Sequence, residues 1–174
     1  MGLNNINLKE AGEFLEQAKK NPQAAKKSKR VEGEWVFNEG KPQFKATLAF
    51  KEGERVVEAD LAPFNGGMGL APDPIQYCLF GVASCFAGTF VTLAAMEGIA
   101  LKSVKIAVQN KLDLSRALGL TRNPIVEGVE ITLTVSSDAP REKLEHLEAL
   151  ARDRCPGVYC TVNPIPLTTK LVFG

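Results

Sequence analysis

The hydrophobic pattern changes period several times along this chain, and each period predicts an element. Leu8, Ala11, Phe14, Leu15 and Ala18 recur at helical spacing. Asn7 with Glu10 three residues on is a capping-box start, so a first helix is expected from there to about Lys20. From Val31 the period drops to two. VEGEWVF, KPQFKATLAF and RVVEADL, separated by NEG and KEGE turns, predict a three-stranded meander with tight connections. Phe44, Ala46, Leu48 and Phe50 form its clearest apolar face. The Gly- and Pro-rich run APFNGGMGLAPDP predicts a flexible loop that could wall a pocket mouth.

Pro74 to Gly98 follows neither short period, and no charge occurs between Asp73 and Glu97. The run is too long for one strand and rich in Ala, Leu, Met and Phe, so it predicts a central helix. A helix apolar on all sides must be buried in protein or in lipid. Alternation then returns at Val104, Ile106, Val108, Asn110 and Leu112, and again at Val129, Ile131, Leu133 and Val135. Asp138 and Pro140 open a helix carrying Leu144, Leu147, Leu150 and Ala151, expected to stop at Cys155-Pro156. LTTKLVFG predicts a final strand. The order α-β-β-β-α-β-β-α-β is that of an α+β fold, a mostly antiparallel sheet covering a central helix.

The central run is long enough to cross a bilayer. Gln76, Ser84, Thr89 and Thr92 interrupt it, its flanks Asp73 and Glu97 are acidic, and no Lys or Arg anchors either end. A protein core is the better reading, with small residues where strands or a partner helix come close.

Composition narrows the class. The chain has 174 residues, and 21 basic against 20 acidic side chains leave the net charge near zero, which argues against nucleic-acid binding. Six basic residues between Lys19 and Arg30 read as a solvated linker. Met1 to Ile6 lacks the charge and apolar stretch of a signal peptide, and a cytoplasmic protein is expected. Four cysteines in such a chain are not a disulfide scaffold. They could be buried, catalytic or metal-binding. Cys85 lies mid-helix among small residues that leave room for a substrate, and Cys155 sits at a helix terminus. Such a pair suits a two-thiol redox cycle. A four-thiolate zinc site from Cys78, Cys85, Cys155 and Cys160 is disfavoured, because no short Cys-x2-Cys knuckle is present. His146, on the polar side of its helix, is expected at the surface.

The helix PDPIQYCLFGVASC, the chain order and the later Cys-Pro step resemble the OsmC/Ohr family, the osmotically inducible and organic hydroperoxide resistance proteins. Pro74 lies eleven residues before Cys85, as the family's proline does before its reactive cysteine. The resemblance covers roughly residues 31–173. It places an N-terminal helix and basic linker at 1–30 and a single OsmC-like domain at 31–174. It implies an intertwined homodimer with central helices back to back and sites at the subunit interface. It also implies thiol-dependent reduction of organic hydroperoxides or hydrogen peroxide. Cys85 would be the peroxidatic and Cys155 the resolving residue, regenerated by a dithiol such as a lipoylated protein or thioredoxin. No metal or organic cofactor, nucleic acid or membrane is implied. The family's hydroperoxide resistance members activate the thiolate with an Arg in the first hairpin and a Glu after the helix Pro; here Asn38 and Ile75 stand at those places. Arg55 and Gln76 are the candidate substitutes, a cation and a hydrogen-bond donor. The alternative is a non-catalytic protein of this fold that holds a small hydrophobic or electrophilic ligand in an apolar pocket at the dimer interface.

Overall fold

The computed structural model describes residues 2–174 and divides the chain into two compact units, Lys9–Phe80 on one side and Gly81–Gly174 with the N-terminal residues up to Leu8 on the other. The expected α+β architecture is present, and among the described residues every strand pairing is antiparallel.

In the Lys9–Phe80 unit, α1 spans Leu8–Lys20 and three strands follow: β1 (Gly33–Trp35), β2 (Phe44–Phe50) and β3 (Gly53–Ala59). They form one antiparallel sheet in the order β1-β2-β3. The β2–β3 connection is tight, with Phe50 paired to Gly53, whereas residues 36–43 make a longer link between β1 and β2. The register sets Phe44, Ala46 and Leu48 opposite Ala59, Val57 and Arg55. Alternation therefore puts all six side chains on one face.

The glycine-rich loop after β3 is tied down, contrary to the flexible segment expected. Asp60 is 1% exposed and its Oδ2 accepts the backbone N–H groups of Met68 (3.1 Å) and Leu70 (2.9 Å). Gln43 adds two more ties, donating from Nε2 to the Gly66 carbonyl and accepting the Leu61 N–H. The N–H groups around Asp60, led by that of Leu70, lower its pKa.

The central helix, α2, runs Pro74–Met96. Its start is a reciprocal cap: Asp73 Oδ1 accepts the N–H groups of Ile75 and Gln76, and Gln76 Oε1 accepts the Asp73 N–H. Pro74 fits the first helical position, where no N–H is needed. The end is a Schellman motif at Gly98 (φ 71°), whose N–H reaches the Ala95 carbonyl while the Ile99 N–H reaches that of Ala94.

In the second unit, β4 (Leu101–Leu112) and β5 (Val126–Ser137) pair as a long antiparallel hairpin. Phe86, Phe90 and Ala94 of α2 meet Leu147, Ala151 and Cys155 to form the core, against which Val104, Ile106, Ile131, Leu133 and Val135 of the hairpin pack. Burying each phenylalanine is worth about 1.5–3 kcal/mol. Asn4 adds a non-local tie, its side chain donating to the Ile99 carbonyl (2.8 Å) and accepting the Leu101 N–H (2.9 Å). Helix α3 spans Arg141–Arg154 and leaves His146 at the surface.

Two expectations are corrected here. The chain does not leave helix for good at Cys155-Pro156: a short helix, α4, runs Pro156–Val162 with the proline at its first position. Proline ends one helix and starts the next because only the later turns need its missing donor. No strand forms at LTTKLVFG, where Leu167, Leu171 and Phe173 are all more than three-quarters exposed. An alternating pattern becomes a strand only when another strand's backbone pairs with it. The burial of α2 is also incomplete. Phe86, Phe90, Ala94 and Ala95 are buried, but Phe80, Gly81, Ser84 and Gly88 are exposed.

Candidate functional site

Cys85 and Cys155 are brought together by α4. Cys155 caps that helix and is fully buried in the core; Cys85, on α2, packs against the same cluster. The contact depends on a glycine. A Cβ built at Gly157 would lie 3.2 Å from Cys85 Cβ, 3.4 Å from Val82 Cα and 3.6 Å from Cys155 Sγ. A residue without a side chain lets the first turn of α4 approach α2 this closely without displacing either helix. All four cysteines are free thiols, and Cys78, exposed on the first turns of α2, has no place in this arrangement.

The Cys85 thiol is pushed above its ordinary range. Burial is the main cause. The Gly157 backbone N–H, directed at the sulfur, pulls the other way, while hydrogen bonding with Cys155 and the charges of ionised Cys155 and Cys160 raise it further. Among the described residues, no three His, Cys, Asp or Glu side chains are grouped to hold a metal ion.

The family profile described as OsmC-like protein matches residues 66–170, a stretch that holds α2, the long hairpin, Cys85 and Cys155. The chain belongs to the OsmC-like family. Solved structures agree on the fold. The chain is similar to an organic hydroperoxide resistance protein OsmC from Legionella pneumophila, with 19% identity and a TM-score of 0.57, covering 79% of this chain and 92% of that one. It also resembles an OsmC-like protein from Mycoplasma pneumoniae (16% identity, TM-score 0.53, 78% and 89% covered). A third likeness is an OsmC-like protein of unknown function from Vibrio cholerae (15% identity, TM-score 0.52, 78% and 94% covered). No curated protein matches this chain in sequence.

In this OsmC-like chain the other two candidates lie in the Lys9–Phe80 unit. Gln76 is part of the α2 cap, its carboxamide oxygen accepting the Asp73 N–H. Arg55 is exposed on β3, on the apolar face of the meander. That face opens a cavity of about 490 Å³, lined by Trp35, Phe44, Leu48, Val57, Leu61 and Tyr77 among others. Tyr77 closes one side by donating its hydroxyl to the Glu58 carbonyl (2.6 Å). Sequence reasoning missed Asp60 and Gln43, which hold the loop beside this cavity. An aspartate directly before a glycine-rich loop, able to accept backbone N–H groups, was the available signal.

Proposed function

We propose that this OsmC-like protein is a thiol peroxidase in which Cys85 is the peroxidatic and Cys155 the resolving residue. The observation that carries the reading is the packing of both sulfurs around Gly157. The Cys85 thiolate attacks the terminal oxygen of a hydroperoxide. An S–O bond forms, the O–O bond breaks, and an alcohol leaves (water, for hydrogen peroxide). Cys155 then attacks the sulfenic sulfur, an S–S bond replaces S–O, and water departs. A dithiol such as a lipoylated protein or thioredoxin returns two electrons and is itself oxidised to a disulfide.

The working unit in this proposal is a cytoplasmic homodimer. The exposed apolar and small residues of α2 and the open apolar face of the meander support it. A second copy would cover both, and Arg55 from that copy would supply the cation that Cys85 lacks within its own unit. The test is peroxide consumption with a dithiol. Wild type turns over and Cys85→Ser does not, while Arg55→Ala keeps its fold and loses about tenfold or more at neutral pH. A wild-type protein that consumes no alkyl hydroperoxide with any dithiol ends the proposal.

The second reading, a non-catalytic binder of a small hydrophobic or electrophilic ligand, is favoured by the raised Cys85 thiol and the apolar cavity. Trp35, the sole tryptophan, lines that cavity, so its fluorescence reports occupancy. Saturable quenching by an alkyl ligand in a protein without turnover would select this reading.

A further inference from the structure

Cys160 has no part in the two-thiol cycle, yet it lies on α4 three residues beyond Gly157. Residues three apart share a helix face, with Cβ atoms about 5–6 Å apart. The face that brings Gly157 against Cys85 therefore also carries Cys160, one turn further on. The charge of Cys160 is also among the causes that raise the Cys85 thiol, the smallest of them. Accessibility separates the three thiols: Cys155 is 0% exposed, Cys85 is half-buried and Cys160 is exposed. A disulfide between the first two offers an external dithiol no open sulfur on the Cys155 side.

We propose that Cys160 is a third redox thiol that moves the disulfide from the buried pair to the surface, where a macromolecular dithiol can reduce it. The proposal rests on the peroxidase reading only for its physiological oxidant. The Cys160 thiolate attacks the Cys85 sulfur of the Cys85–Cys155 disulfide. The Cys85–Cys160 bond forms, the Cys85–Cys155 bond breaks, and Cys155 leaves as a thiolate that takes up the proton Cys160 gave up. No net oxidation occurs in this step. The reductant, a protein dithiol, then attacks the exposed Cys160 sulfur, resolves the mixed disulfide with its second thiol, and leaves Cys85 and Cys160 as thiols. The three sulfurs do not converge as metal ligands would, so the exchange requires the second turn of α4 to shift. This helix has only seven residues and its first residue is a proline.

The full-length protein is oxidised in parallel with one equivalent of an alkyl hydroperoxide and with diamide, which oxidises thiol pairs without peroxidase chemistry. Linkages are then mapped by mass spectrometry of peptides kept unreduced. Wild type is expected to show both Cys85–Cys155 and Cys85–Cys160, and Cys155→Ser to show Cys85–Cys160. Cys160→Ser still forms Cys85–Cys155, but its reduction by a thioredoxin-sized dithiol slows by about tenfold, whereas reduction by dithiothreitol changes by less than about twofold. The proposal is overturned if Cys160 remains alkylatable throughout, if it links only to Cys160 of another chain, or if Cys160→Ser is reduced by the protein dithiol at the wild-type rate. Wild type and Cys160→Ser, altered only at an exposed residue, decide the matter even if Cys155→Ser does not fold. Linkage with diamide but none with peroxide would sink the peroxidase reading and leave the relay standing.

Discussion

Replacing Gly157 by alanine adds one methyl group where α4 meets α2. Two opposing effects decide the outcome. Alanine is favoured over glycine inside a helix by about 1 kcal/mol. The new methyl carbon would stand 3.2 Å from Cys85 Cβ, tighter than an ordinary contact, and 3.4 Å from Val82 Cα, at the near limit of one. Overpacking of this kind costs about 1–3 kcal/mol. The obstructing atoms are a Cβ and a backbone Cα, so no flexible side-chain end can swing aside and α4 itself must move by a few tenths of an ångström. The crowding term should win, and Gly157→Ala should lose up to about 2 kcal/mol in urea unfolding. The same shift widens the Cys85–Cys155 approach, and a disulfide tolerates only a narrow range of Cβ separations. Diamide-driven closure of that pair should slow by about tenfold, read from the loss of alkylatable thiols over time. A Gly157→Ala protein that is stabilised by about 1 kcal/mol and closes the pair at the wild-type rate would refute the account of this contact.

Three other expectations follow from the site and its supports. In Arg55→Ala, Cys85 keeps the raised pKa that burial and its thiol neighbours impose. Its alkylation should climb about tenfold per pH unit past 8.5, while wild type levels earlier; superimposable profiles would remove Arg55 from the site. A raised folded-state pKa also means that the native chain holds the Cys85 proton more tightly. In Arg55→Ala that stabilisation is fully present below the unfolded thiol value of about 8.5 and is lost as pH rises through the folded value, so the urea midpoint should fall between pH 7.5 and the alkaline range and fall less in Arg55→Ala/Cys85→Ala. Phe90→Ala, at a position 1% exposed, should cost about 3–5 kcal/mol in chemical denaturation, and a loss below about 1 would show that the core collapses around the gap. Asp60→Ala should speed hydrogen exchange at the Met68 and Leu70 amides while leaving β4 and β5 protected; unchanged exchange would mean that the loop is held by something else.

Much of this architecture is written locally. The uncharged run at 74–96 could hardly be anything but a long helix, and the alternation at 104–112 and 129–136 gave the body of two strands that start three residues earlier, at Leu101 and Val126. The Cys85–Cys155 pairing was only suggested by a mid-helix and a helix-end thiol and became specific through family resemblance, because two thiols 70 positions apart have no local signature. Helix α4 was missed because Pro156 reads as a stop, although proline is equally a start. The spacing of Gln76 from Asp73 also spelled a cap, and the structure has it. The strand expected at 167–174 shows the opposite limit: propensity proposes a strand, but only a neighbouring backbone can make one.

The Asn4 clasp bears on the order in which the chain closes. Its two hydrogen bonds join residues 95 and 97 positions apart. Bonds of this kind contribute only about 0.5–1.5 kcal/mol each. Ordering the few terminal residues that make them opposes this with a comparable loss of chain entropy. The clasp should therefore form after α2 and β4 have set the Ile99–Leu101 corner and fray before the Phe90 core opens. The Leu101 amide should accordingly exchange through a local opening well below the free energy that guards the Phe90 core.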